Sequence, residues 1–267
     1  MNATRIYAIF LRQIYLMRGS YTRIIPLFVW IMVDMVLWGF MTQYLNSVNN
    51  AGMNFVPLLL GAVLMWDFFS RVMQGLATAF FEDCWTRNFL NFFATPLSTG
   101  EYISGLVTTS IFTSIAGLIA MILFAGSVFG LSFLSYGVAL FPALLTLFLF
   151  GIAIGILGIT LVLRFGPAAE WLIWPMPALL SPFVGVFYPL SVLPAWMQAV
   201  AKILPPSYVF ENIRAIVHGQ TADAAGLWGG LLLSAGYVAF ASWVFARIYR
   251  YALNTGLIAR YGSETVS

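Results

Sequence analysis

The chain has 267 residues, 61% hydrophobic and only 8% charged, with a net charge of +3 and a mean hydropathy of +0.93. Soluble domains carry roughly 25% charged residues, so a soluble fold is excluded and an all-α integral membrane protein is expected. The one cysteine, Cys84, rules out a disulfide framework and a thiolate metal cluster.

Residues 1–23 interleave Arg5, Arg12, Arg18 and Arg23 with apolar side chains. Ile6, Phe10, Ile14 and Met17 fall on one helical stripe. This predicts an amphipathic helix lying in the membrane interface, basic side toward the headgroups. There is no continuous apolar core with a cleavage site, as a signal peptide would need.

Six spans are expected, at 24–45, 55–81, 102–129, 138–163, 171–188 and 227–249. The fifth is studded with Pro175, Pro177 and Pro182. Between the second and third lies a polar connector, 82–100, EDCWTRNFLNFFATPLSTG. Glu82 and Asp83 favour a helix start, Trp85, Phe89, Phe92 and Phe93 give it an apolar stripe, and Pro96 ends it. Such a helix either anchors at the membrane surface or docks into a partner's groove.

The stretch 183–219 is too polar and too broken by proline to cross a bilayer in one piece. Pro194–Leu204 has Trp196, Val200, Ile203 and Leu204 at helical spacing, Pro205-Pro206-Ser207 breaks the chain, and Tyr208–His218 restarts it. Two readings stand: a helical hairpin dipping into the membrane, or a surface loop anchored by Trp196 and Tyr208.

Placing the N-terminus inside puts Arg5, Arg12, Arg18, Arg23, Arg87, Arg164, Arg247, Arg250 and Arg260 on the cytoplasmic side. Only Lys202 and Arg214 fall outside. Both termini are then cytoplasmic, and 183–219 lies at the outer face.

The chain lacks a GxxxxGK[ST] phosphate loop. With a single histidine it has no HExxH site, and it shows no nucleophile arrangement. No enzyme activity, bound cofactor, metal or nucleic acid is expected.

Asp34 lies midway through the first span, and Asp67 and Arg71 share a face of the second. Charges at that depth need partners. An Asp34–Asp67–Arg71 cluster is expected, serving either a transport path or proton relay, or a structural link between two helices. The aromatics Trp30, Trp38, Trp66, Phe68, Phe69, Trp171, Trp174 and Phe187 could line a path for amphipathic molecules; the alternative is lipid-facing belts and helix packing.

Two patches resemble the membrane subunits of type-2 ABC exporters, over nearly the whole chain. One is 87–105, where Arg87, Thr95-Pro96-Leu97, Tyr102 and Gly105 match the family's pattern. The other carries Gly185, Phe187, Tyr188, Pro189, Leu193-Pro194, Trp196, Pro205-Pro206, Arg214 and Gly219. A departure stands beside them: many relatives carry a glutamate shortly after the arginine matching Arg87, where this chain has Asn91 and phenylalanines.

The resemblance implies a homodimeric permease working with two copies of a separate ATPase subunit, which would hold ATP and Mg. The region 82–100 would be the coupling helix, with Glu82, Asp83, Trp85, Arg87, Phe89 and Pro96 at the ATPase. The N-terminal helix would pack beside it. Residues 189–219 would form an external re-entrant gate, with Tyr188, Pro189, Pro194, Trp196, Pro205, Glu211 and Arg214 in it. Spans one, two and five would form the dimer face and conduit of a bacterial inner-membrane exporter for a drug, lipid or lipid-linked glycan. From a different class, an ATP-independent channel or proton-coupled transporter would use Asp34, Asp67 and Arg71.

Overall fold

The structure, a computed structural model, describes residues 2–48, 55–86 and 95–257. Every regular element among them is helical. α1 (Ala3–Arg18) is capped by the Asn2 side chain, which accepts from the Thr4 amide. It ends at Gly19, and α2 (Tyr21–Val48) follows as one 28-residue helix. A short π-helical turn, Val56–Leu60, leads into α3 (Gly61–Trp85). The helix therefore runs past the expected span end at 81 and takes in Glu82 and Asp83.

α4 (Thr99–Phe129) opens on a capping box: Ser98 accepts from the Glu101 amide, and the Glu101 carboxylate accepts from the Ser98 amide. A 3-10 segment, Phe133–Ala139, leads to α5 (Leu140–Phe165). The region expected as a fifth span, 171–188, is divided. A 3-10 stretch, Pro167–Leu172, is followed by turns and then by the nine-residue α6 (Met176–Val184), which contains Pro182. Proline lacks the amide hydrogen that a helix interior requires, and Pro175, Pro177 and Pro182 interrupt the ladder repeatedly. Two short helices, α7 (Ala195–Ala201) and α8 (Pro205–Val217), precede the long α9 (Ala224–Asn254).

Among the described residues, four helical stretches are long and apolar enough to cross a membrane: Val56–Trp85, Thr99–Phe129, Phe133–Phe165 and Ala224–Asn254. The first and third form the buried axis, and α4 and α9 flank it. In lipid the contact between helices comes from close packing and hydrogen bonds rather than from hydrophobic transfer. Gly151 and Gly155 of α5 supply the closeness. A Cβ at 151 would stand 2.9 Å from Val72 Cβ, and one at 155 would stand 3.0 Å from the Met73 carbonyl. Ser110 donates to the Val72 carbonyl at 3.0 Å and Ser234 to the Thr146 carbonyl at 3.0 Å, tying α4 to α3 and α9 to α5. α2 stands apart, with Trp30, Leu37, Phe40 and Tyr44 exposed along it.

The packing gives the bundle two unlike ends. One holds α1, the end of α3, the start of α4 and the ends of α5 and α9. The other holds α7, α8, the end of α2 and the start of α9.

Candidate functional site

The first end is organised by a buried carboxylate. Asp83, in the last turn of α3, is fully buried. Arg12 of α1 reaches it at 2.6 Å, and the Tyr102 hydroxyl of α4 donates to it at 2.7 Å. Three helices thus meet on one side chain. A buried carboxylate is costly unless it is paired and hydrogen-bonded, and here both conditions hold. A second contact lies about two turns of α1 away, toward its start. The Asn2 amide donates to Glu101 at 2.7 Å, and Arg5 donates to the Pro96 carbonyl and lies 3.4 Å from Glu101. Arg12 therefore turns inward onto a buried acid, and Arg5 stays at the surface but is held by Pro96 and Glu101, where amphipathicity suggested headgroup contacts. Gly105 lets α1 lie against α4: a Cβ there would fall 2.6 Å from the Ile9 Cβ.

These contacts grip both ends of the connector between α3 and α4. Trp85, half exposed at its start, donates to Glu170 at 3.0 Å, so the segment after α5 joins the same assembly. Glu82 is half-buried. Asp83 faces inward, toward Arg12 and Tyr102, rather than outward toward a docking partner. Pro96 sits in the exposed turn that receives Arg5. Arg87 and Phe89 lie outside the described residues.

At mid-depth, Asp34, Asp67 and Arg71 lie within electrostatic reach of one another. The Arg71 stem passes over Gly117 of α4, where a Cβ would stand 3.2 Å from its Cδ. Asp67 Oδ2 and Arg71 Nε are buried without a hydrogen-bond partner among the described residues. The three charges are thus clustered, but by proximity and not by a closed ion pair.

The proposed aromatic lining separates into three groups. Trp66 and Phe69 are core: they stack on each other at 4.5 Å, and Phe69 stacks on Phe150 at 5.4 Å. Trp38 stacks on Phe187 at 5.0 Å, joining α2 to the loop after α6. Trp30 and Trp174 are exposed.

At the other end, Leu204 precedes α8 and Pro205 is buried in its first turn. Pro189 and Pro194 bound the loop before α7. Trp196 is exposed and touches Phe183 edge-on. The Tyr188 hydroxyl donates to the Pro182 carbonyl at 2.9 Å. Glu211 and Arg214 pair at 2.6 Å within α8. Arg214 also donates to the Gly185 carbonyl, and Glu211 accepts from the Leu190 amide. Burial pushes the Arg214 guanidinium below its ordinary range, while Glu211 supports its charge. The pair therefore stitches α8 to the loop at 185–190, and each residue finds its partner in its own chain.

Arg12, Ser98, Glu101 and Tyr102 are the site residues that sequence reasoning did not assign to the clamp. Ser98-x-x-Glu101 before an apolar run was a readable capping signature; nothing local announces that Arg12 meets Asp83.

No curated protein matches the sequence. The family described as ABC-2 type transporter matches residues 4–218, a stretch that takes in α1, the clamp, the mid-depth charges and both short helices of the far end. With that coverage of a helical bundle, the chain belongs to the ABC-2 type transporter family as a membrane permease component.

Proposed function

We propose that the chain is the export permease of an ATP-driven transporter, acting as a homodimer with two copies of a separate ATPase subunit. The substrate is an amphipathic drug, lipid or lipid-linked glycan, and access alternates between two conformations. The observation that carries this reading is the Arg12–Asp83–Tyr102 clamp, set at both ends of the connector 86–98. A connector pushed by an ATPase must move its helices as a unit. The clamp makes α1, α3 and α4 such a unit.

Positive side chains favour the cytoplasmic side. The clamp end carries Arg5, Arg12, Arg18, Arg164, Arg247 and Arg250, and the far end Lys202 and Arg214, which supports a cytoplasmic clamp and an external α7–α8 hairpin. The hairpin would then be re-entrant and close the exit, with the Glu211–Arg214 pair bracing it.

The test is purification of the tagged chain from its native membrane, with identification of what accompanies it. An ATPase subunit bearing a phosphate loop is expected, and Arg87→Ala should release it. Transport by the isolated chain without ATP would overturn the reading.

The clustered charges favour a second reading, a proton-coupled transporter, because Asp67 Oδ2 is buried without a hydrogen-bond partner among the described residues. That reading requires Asp34→Asn to abolish ATP-independent uptake driven by a proton gradient in liposomes.

A further inference from the structure

At the clamp end, α4, α5 and α9 enclose a cleft of about 440 Å³. Its floor is apolar, formed by Ile103, Ile156 and Phe245. Its polar side chains are Thr99, Ser104, Ser242, Tyr249 and Arg250, of which Thr99 and Tyr249 bond each other. Two features mark Ser104, Ser242 and Arg250 as available to a ligand. Thr108, Thr109 and Thr160 each donate to a carbonyl of their own helix, a common way to quiet a hydroxyl in lipid. Ser104 and Ser242 make no such bond among the described residues. Arg250 likewise forms no ion pair or hydrogen bond with the described residues. By contrast, Arg164 lies over the Tyr251 ring at 4.3 Å and Arg247 over the Trp243 ring at 4.9 Å. The nearest acid along α4, Glu101, is already engaged by Asn2, Ser98 and Arg5. A cation and two uncommitted hydroxyls therefore open onto an apolar cleft at the clamp end of the bundle.

We infer that this cleft holds an acidic glycerophospholipid of the inner leaflet, its phosphate on Arg250, Ser104 and Ser242 and its chains over Ile103, Ile156 and Phe245. Charge complementarity selects the occupant. The polar groups offered are donors, the rim carries a surplus of positive charge, and basic pockets between helices on the cytoplasmic side are suited to anionic headgroups. Bound there, the lipid would bridge α4 to α9 one turn from the clamp, so occupancy would stiffen the unit that the connector moves. The inference rests on the orientation proposed above but not on export, since binding is read without transport.

The test uses the full-length chain reconstituted in nanodiscs of mixed phosphatidylglycerol and phosphatidylcholine, then extracted into detergent. Retained phospholipid per chain is measured by mass spectrometry. The wild type should retain phosphatidylglycerol in preference to phosphatidylcholine. Arg250→Gln should lower that preference about fivefold, the effect of one cation near the headgroups, and Arg250→Lys should keep most of it. Ala246→Trp, which fills the cleft without changing charge, should abolish retention. Arg247→Gln, whose cation lies over Trp243, should change nothing. Full retention by Arg250→Gln or Ala246→Trp, or an equal loss in Arg247→Gln, would overturn the assignment.

Discussion

Asp83 concentrates the energetics of the clamp in one carboxylate. Removing one partner of a buried pair costs about 3–5 kcal/mol, so Asp83→Asn should lower the thermal stability of the detergent-solubilised protein sharply. Tyr102→Phe deletes only a hydrogen bond to a charged group, worth about 1.5–3 kcal/mol, and should cost less. Thermal unfolding of both variants checks the order, and a milder Asp83→Asn would refute the clamp. A double-mutant cycle on Asp34 and Arg71 probes mid-depth. Charges within reach of each other should give non-additive effects, and strict additivity would show that they do not communicate. At this scale the sequence was partly legible. The charges of the mid-depth cluster sit on predictable helical faces, and the capping box at Ser98 is spelled out. The Arg12–Asp83 pairing was not legible, because amphipathicity tells which residues are polar and not whether a polar face meets lipid or protein.

Among elements, α1 depends on Gly105 for its seat. Gly105→Leu would force side-chain atoms into Ile9, and such overpacking costs about 1–3 kcal/mol. The expected result is release of α1 from α4, seen as faster amide hydrogen exchange over residues 3–18, with α3 and α5 protected as before. The far end offers a parallel case. Arg214→Gln removes the charge that meets Glu211 and weakens the bond to the Gly185 carbonyl; limited proteolysis between 185 and 194 should accelerate. Long apolar stretches made α2, α3, α4, α5 and α9 visible from composition. The region 171–188 was apolar enough to suggest a span, and its three prolines marked the break without telling how the pieces would be arranged. The ends of α3 and α4 escaped pattern reading because buried polar contacts, not hydropathy, decide where those helices stop and start.

Considered whole, the bundle is lopsided. α3 and α5 are enclosed, whereas α2 shows Trp30, Leu37, Phe40 and Tyr44 to its surroundings. Lipid or a second copy must cover that face. Under the proposed homodimer, Phe40→Glu should convert the solubilised dimer to monomer in light scattering, and a variant that stays dimeric would place the contact elsewhere. The clamp also has a consequence for how the chain is made. Asn2 and Glu101 stand 99 positions apart, so the first helix leaves the ribosome long before its anchor exists. With α2 and α3 both crossing, as the proposed topology has it, Asp83 and Tyr102 return to the side of Arg12. A chain in which either helix failed to cross would leave Arg12 and Asp83 on opposite faces of the bilayer, each without its counterion. The same contact that joins three helices would thereby distinguish a chain with both crossings made from one with a crossing missed.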